Sequence, residues 1–457
     1  MQEALKVTIT GEFYDSQIYN GRLYLWKVNG SLVTIDWNSL VDKIIVSEEL
    51  EVALRFSLQH SDELYGNLLL QDTEIRDLMK LKFQKLSELT VEIKKQDLEN
   101  CTIDQQDNLF PFPHADSAVH YETMYVGSQS GVSASRCNAG QLVERSVEAA
   151  KKLFDMPVLS ISASHLTLAV AAGSEGLFDY SLVPLVPSST KKYTDPRNLS
   201  NNHCNLTRWL YPSIFSSSYF NDGYFADFKA SKKSSVEKQQ PSQKASQADS
   251  SIGLLEKGED QKPARRYERR FQGLISSGDI FAEPELKLDR IKTNSNTDNI
   301  TFTWGVQDKL CSITGNSVKL AQYIPSSRSK STRRKFKDLG CVKIVGSNGD
   351  VISADSSFFG IVLEQEDGLL VVSSSLKSRF FEGEPVNWRV FPKSRNYSNQ
   401  LHIIYDDALH IYSFNHDYFV DQSTKKLGIS VASDKKLNIR RKVQEDTDAE
   451  EQESIPF

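Results

Sequence analysis

The chain has 457 residues, 39% hydrophobic and 25% charged, with a formal net charge of −6. It is long enough to bury a large core, it lacks the run of about 18 apolar residues that a membrane helix needs, and its charge gives no global pull toward nucleic acid or an anionic membrane. Met1–Thr10 shows no basic stretch followed by an apolar one, and the five scattered cysteines include no Cys-x-x-Cys, so the expectation is an intracellular protein, cytoplasmic or nuclear and not secreted, with buried free thiols.

In chain order, Gly21–Trp26 and Leu32–Trp37 flank Asn29-Gly30 and read as a hairpin. Alternation puts Leu23 and Leu25 on one face and Tyr24 and Trp26 on the other, as in a sheet packed between two neighbours. Leu5–Thr10 is a strand that can join a unit elsewhere. Residues 39–116 interrupt the β pattern as a partly helical insertion. There Asp72-Thr73 caps a helix over Glu74–Lys85, with Ile75, Leu78, Met79, Leu81 and Leu86 at helical spacing. Its apolar stripe is expected to pack on the protein's own body. Leu89–Lys94 reads as a strand, and Phe110–His114 (Phe-Pro-Phe-Pro-His) as a rigid loop.

Further β units are expected at Tyr121–Arg136, Met156–Val186 and Leu206–Phe228, with a short helix over Gly140–Phe154. Residues 229–270 turn to Ser, Gln, Lys and acidic residues and read as a disordered linker with a basic end, Lys262–Arg270. Ile300–Ile324 is the next unit, followed by a basic loop, Arg328–Lys337. Cys341–Ser375 reads as four short strands with Asn348-Gly349 and Asp367-Gly368 as turns, and Pro385–Val420 as a last unit. Residues 428–457 are a polar tail.

Ser162–Leu177 can be set beside Ala354–Leu369 without gaps. In both, a small polar cluster feeds an apolar strand, an acidic residue and a Gly make a turn, and a second apolar strand follows. Repeated strand–turn–strand units of this size mark a radial β array. The pattern resembles a degenerate WD-type β-propeller: an all-β fold of about seven blades. Its blades would lie in 1–38, 117–228 and 271–427. The Gly-His and Trp-Asp signatures are absent, and Asp36-Trp37 carries the dipeptide reversed. Six or eight blades, or two smaller β domains, fit the same spacing. The resemblance implies a rigid platform with several binding faces, and fold alone does not fix function.

No catalytic motif is found. Gly127–Gly131 is spaced like a nucleophile elbow, but Gln129 stands where the serine belongs. His402 and His410, with His416 and Asp406, Asp407 and Asp417 close by, could bind zinc; the simpler reading is a cross-strand histidine pair. His114, Asp116 and His120 form a looser set. No cofactor or metal site is assigned. The best functional lead is two basic loops, where Arg265, Arg266, Arg269 and Arg270 flank Tyr267, and Arg333, Arg334 and Lys335 precede Phe336. Cations beside aromatics suit phosphate contact and base stacking. Three functions compete. The first is a non-enzymatic protein-interaction platform in an intracellular assembly, with one or more protein partners. The second is a nucleic-acid or polyanion binder using the basic loops. The third is a propeller hydrolase drawing on Asp36, Asp179, Asp355 or Glu364 near a central channel. The missing motifs favour the first over an enzyme.

Overall fold

A computed structural model of the chain describes residues 4–227 and 300–415, apart from 46–47, 68, 138–146, 165–166, 183–195, 211–212, 219–222, 307–308, 325–334, 344–350 and 374–375. Its strands form seven sheets, arranged as the blades of a β-propeller. β1 (Leu5–Thr10) leaves at once for the last blade. The first blade is β2 (Phe13–Tyr19), β3 (Arg22–Lys27) and β4 (Leu32–Asp36). The insertion follows as α1 (Trp37–Lys43), α2 (Glu48–Leu58), α3 (Glu63–Gly66), α4 (Thr73–Ser87), β5 (Thr90–Ile93) and α5 (Lys95–Cys101). β6 (Thr102–Gln106) then pairs with β4 and completes the first blade. The hairpin residues predicted only β3 and β4 of these four strands; β2 was not foreseen, and β6 returns from beyond the helices.

The second blade is β7 (His114–His120), β8 (Thr123–Ser128), β9 (Gly131–Arg136) and β10 (Lys151–Phe154). The expected helix over Gly140–Phe154 is therefore wrong at its end: Lys151, Lys152 and Phe154 pair with β9, and edge pairing overrides local propensity. The third blade is β11 (Ser160–Ser164), β12 (Thr167–Ala171), β13 (Leu177–Ser181) and β14 (Arg197–Ser200), and the fourth is β15 (Leu206–Leu210), β16 (Ser213–Ser217) and β17 (Gly223–Asp227). The fifth is β18 (Ile300–Val306), β19 (Lys309–Thr314), β20 (Ser317–Ile324) and β21 (Lys335–Lys343). The sixth is β22 (Ser353–Ser357), β23 (Gly360–Gln365), β24 (Gly368–Ser373) and β25 (Ser378–Glu382). Cys341–Lys343 thus belongs to the fifth blade's outer strand, not to the sixth blade, and residues 335–337 are strand rather than loop. The seventh blade is β26 (Asn387–Val390), β27 (Gln400–Ile404) and β28 (Ala408–Ser413), closed by β1 antiparallel to β28, with β5 added parallel to β1. The two ends of the described chain share one blade, which closes the ring.

Cores lie between blades. Trp26 and Leu32 pack with Met124 and Val126 across the first and second blades. Val362, Leu369 and Val371 pack with Leu401, Ile403 and Phe414 across the sixth and seventh. The middle strands of these blades therefore carry apolar residues on both faces. The helical insertion covers the seam of the first and seventh blades: Met79, Phe83 and Leu86 of α4 join a core with Leu5, Val7 and Ile9 of β1. Asp72 caps α4 by accepting from the backbone N–H of Glu74 at 3.0 Å and Ile75 at 3.4 Å. The carbonyls at the C-terminal end of α2 are received by blade seven, where Asn399 Nδ2 and Ser413 Oγ donate to Ser57 O (both 2.8 Å) and Gln400 Nε2 to Leu58 O (3.0 Å).

Candidate functional site

The first strands of the blades, β2, β7, β11, β15, β18, β22 and β26, adjoin one another around the axis. Three begin with the same local device. Asp15, Asp116 and Asp355 each accept, on Oδ1, the backbone N–H of the following serine at 2.7–2.9 Å, and Asn387 does the same for Trp388 at 2.8 Å. The short side chain bonding its own successor fixes its rotamer and aims the second oxygen at the neighbouring blade. In β2 and β7 a bulge precedes the aspartate and re-aims it.

Asp15, fully buried, is the centre of the set. Its Oδ1 accepts from Ser16 N (2.7 Å), Asn387 Nδ2 (3.2 Å) and Arg389 Nε. Its Oδ2 accepts from Ser117 Oγ (2.7 Å), Arg389 Nη2 (2.8 Å) and His114 Nε2 (2.8 Å). Burial works to raise its pKa, but the Arg389 charge and these donors outweigh it and hold the carboxyl well below the usual range. Arg389 is a fork shared by three blades: from β26 it clasps Asp15 in β2 and donates through Nη1 to Asp116 Oδ1 (3.2 Å) and Ser117 O (3.1 Å) in β7. Asp116 Oδ2 in turn accepts from Ile161 N (2.9 Å) and Ser160 Oγ (3.2 Å) in β11. Arg208 in β15 donates to Ser160 Oγ at 3.2 Å and reaches Asp355 in β22 at 3.4 Å. Trp304 Nε1 in β18 donates to Ser356 Oγ at 2.9 Å. Lys393, on the loop after β26, crosses to blade three and donates to Ala163 O (2.7 Å) and Ser162 Oγ (3.3 Å). Three carboxylates and three cations thus balance around the axis, and every blade is tied in.

A serine–histidine–amide row lies beside this set. Ser16 Oγ is 3.0 Å from His402 Nδ1, and His402 Nε2 is 3.3 Å from Gln400 Oε1. Burial pushes the imidazole down to about 3, with the Arg389 charge adding to it against Asp15, so the ring is neutral. All three residues are fully buried, so the row is structural. The expected histidine pair is not formed: His402 stands opposite Ile411 and His410 opposite Ile403, which puts the two rings on opposite faces. That also separates them as zinc ligands. His416 and Asp417 lie outside the described residues.

Of the carboxylates named for a hydrolase, only Asp355 reaches the axis. Asp36 caps α1 and pairs with Arg22 at 2.6 Å, Asp179 pairs with Arg197 between β13 and β14, and Glu364 accepts from Trp388 Nε1 at 2.8 Å. The loosely weighted His114 and Asp116 prove to be axial, whereas His120 packs against Tyr121 in a tilted contact at the β7–β8 turn. The basic-loop residues Arg265, Arg266, Arg269, Arg270, Arg333 and Arg334 lie outside the described residues; Lys335 opens β21, paired to Ile324. Sequence reasoning missed Asp15, Arg389, Arg208 and Lys393. A signal was present: four Asp-Ser dipeptides occur in the chain, and three of them head the first strands of blades one, two and six.

The fold and this charged axis define a seven-bladed β-propeller whose centre is held by inter-blade ion pairs. No family model and no curated protein sequence matches the chain. Among solved structures it is similar to an extracellular domain from B. thetaiotaomicron at 10% identity and TM-score 0.41, covering 90% of this chain and 40% of that one. It is similar to a chain of the Mitotic Checkpoint Complex at 12% identity and TM-score 0.37, covering 68% and 79%. It is also similar to the computationally designed Ika8 protein at 8% identity and TM-score 0.41, covering 91% and 100%.

Proposed function

We propose that the protein is a non-enzymatic protein-interaction platform in an intracellular assembly. One observation carries this reading: the ionisable groups of the axis are engaged with one another across blades, so the centre works as a tie that holds the rims rigid. A catalytic acid or base needs a partner that changes with substrate. Asp15 and Arg389 instead have their hydrogen-bonding capacity filled by each other and by Ser16, His114, Asp116, Ser117 and Asn387. What the molecule offers outward is surface. On the helical insertion Val52, Leu69, Leu78 and Leu81 are half or more exposed, and apolar groups held out on a rigid body suit contact with another protein. Cys101, Cys137, Cys204 and Cys311 are buried free thiols, in keeping with a reducing compartment.

The test is affinity capture from the native cell, quantified by mass spectrometry, with wild type beside Leu78→Glu/Leu81→Glu. The reading expects partners at near-equal stoichiometry on wild type and their loss on the variant, with the melting temperature unchanged. It is overturned if no partner is enriched and the purified protein turns over ester, phosphoester or glycoside substrates in a manner abolished by Asp355→Asn.

A further inference from the structure

α4 buries one side and leaves the opposite side bare. Met79, Phe83 and Leu86 enter the core beneath it. On the far side, at about 3.6 residues per turn, Glu74, Leu78, Leu81 and Lys85 fall in one narrow stripe. All four are exposed, the two leucines by 54% and 59%. The helix dipole favours acids in the first turn and bases in the last, which accounts for Glu74 and Lys85 taken singly. It does not call for two bare leucines between them, nor for their spacing. Glu74 stands four residues before Leu78, and Lys85 four residues after Leu81. Asp77 and Lys82 repeat the relation, one residue outside each leucine. The stripe reads acid, leucine, leucine, base, so turning the helix end for end places each charge opposite its counter-charge. Such a surface is complementary to itself about a two-fold axis, where one residue meets a second and the second meets the first.

We propose that this face of α4 binds a second copy of the chain, the two helices packed antiparallel. The inference rests on the reading of the same face as a protein contact. Leu78 meets Leu81 of the other copy twice at the centre, Glu74 meets Lys85 at both ends, and Asp77 faces Lys82. About 16 Å of helix separates the two end charges, which gives an apolar centre with a charged rim. Lys85 Nζ already donates to Glu49 Oε1, and Lys82 Nζ to Glu49 O, both at 2.6 Å. An ammonium has three donors, so these bonds steady the lysines without using them up. An unrelated partner would have no need of charges arranged symmetrically about the leucines. One helix from each copy makes a small contact, so the dimer is expected to be roughly micromolar.

The test is sedimentation velocity on the purified full chain from about 1 to about 100 µM. Wild type is expected to pass from monomer toward dimer over this range. Glu74→Lys sets lysine against lysine at both ends, and Lys85→Glu sets acid against acid. Each alone is expected to weaken dimerisation at least about tenfold. Both positions are exposed, so the variants should fold, which an unchanged melting temperature checks. Mixed one to one, the two variants again pair acid with lysine at both ends and are expected to dimerise as wild type does. The double variant Glu74→Lys/Lys85→Glu should do so with itself. The inference is overturned if wild type stays monomeric at about 100 µM, a result that needs no variant. It is equally overturned if the mixture is no more dimeric than either variant alone. Should wild type stay monomeric while Leu78→Glu/Leu81→Glu still loses cellular partners, this face holds a different protein: the inference falls and the platform reading stands. Should the mixture dimerise while no other protein is enriched from the cell, the inference stands and the platform reading loses its support.

Discussion

Arg389 and Asp15 are the residues whose loss is most informative. Asp15 is fully buried and the Arg389 side chain is 16% exposed, so each is the other's main compensation for leaving water. Removing one partner strands the other, which costs about 3–5 kcal/mol, whereas replacing both can be near neutral. Arg389→Ala is therefore expected to lower the melting temperature by about 5 °C, at the roughly 1–2 °C per kcal/mol that a fold of several hundred residues gives. Arg389→Met/Asp15→Asn should recover more than half of the loss. Equal melting of the single and double variants would show that the stranded carboxylate is not the cost. His402 sets a pH dependence of definite sign. Unfolded, its imidazole takes a proton below about pH 6.5; folded, burial denies it one until about 3. The unfolded state binds more protons across that window, so stability falls as pH falls, by about 1.4 kcal/mol per unit. Asp15, with its folded pKa depressed, works in the same direction lower down: its contribution is complete above its unfolded value near 3.9 and is lost as pH falls further. Asp179 and Asp355, raised mainly by burial despite their arginine partners, oppose the trend. Burial also holds His410 down, to about 4, so melting curves at pH 6.5 and 4.5 should separate for wild type and separate by less, without coinciding, for His402→Gln.

At the level of the strand pair, glycines say why the repeat was readable. Gly176 and Gly368 align in the ungapped comparison of Ser162–Leu177 with Ala354–Leu369. Both precede or open the third strand of a blade, with φ of +101° and +149°. A Cβ on Gly176 would stand 2.0 Å from Ser200 O, and one on Gly368 would stand 2.1 Å from Phe381 O, each in the blade's fourth strand. The turn must therefore be glycine both for its backbone angle and because the outer strand passes over it. Gly176→Ala and Gly368→Ala should each destabilise by about 2 kcal/mol or more, while Gly315→Ala, with φ of +54° but nothing near its Cβ, should cost less. Chemical denaturation of the three variants tests the order; equal losses would mean that backbone angle alone decides. The outer strands themselves were poorly legible. β10 has only Leu153 and Phe154 as apolar residues and β6 follows five helices, so their identity depends on a neighbour's edge rather than on their own alternation.

For the whole molecule, ring closure rests on β1. Leu5, Val7 and Ile9 are at most 1% exposed, packed beneath the helical insertion on blade seven. Burying three such side chains contributes about 5 kcal/mol or more. Deleting residues 1–10 should leave a protein that melts far lower or aggregates, and a peptide of residues 1–12 added in trans should raise the melting point with concentration. A truncated protein that melts within about 2 °C of the full chain would mean that the blade closes without it. What the sequence determined alone was the unit: apolar strands with both faces filled, joined by Asp/Glu-Gly and Asn-Gly turns, because period-two alternation and positive-φ turns are local properties. It also carried the capped helix at Asp72, since a cap involves only adjacent residues. Only the tertiary structure decided which strand closes each blade and that Leu5–Thr10 travels to the far end. It alone made Asp15, Asp116, Asp355, Arg208, Arg389 and Lys393 one set. Asp15 and Arg389, which bond each other directly, are 374 positions apart, and what makes these residues a unit is the ring that brings seven first strands to one axis.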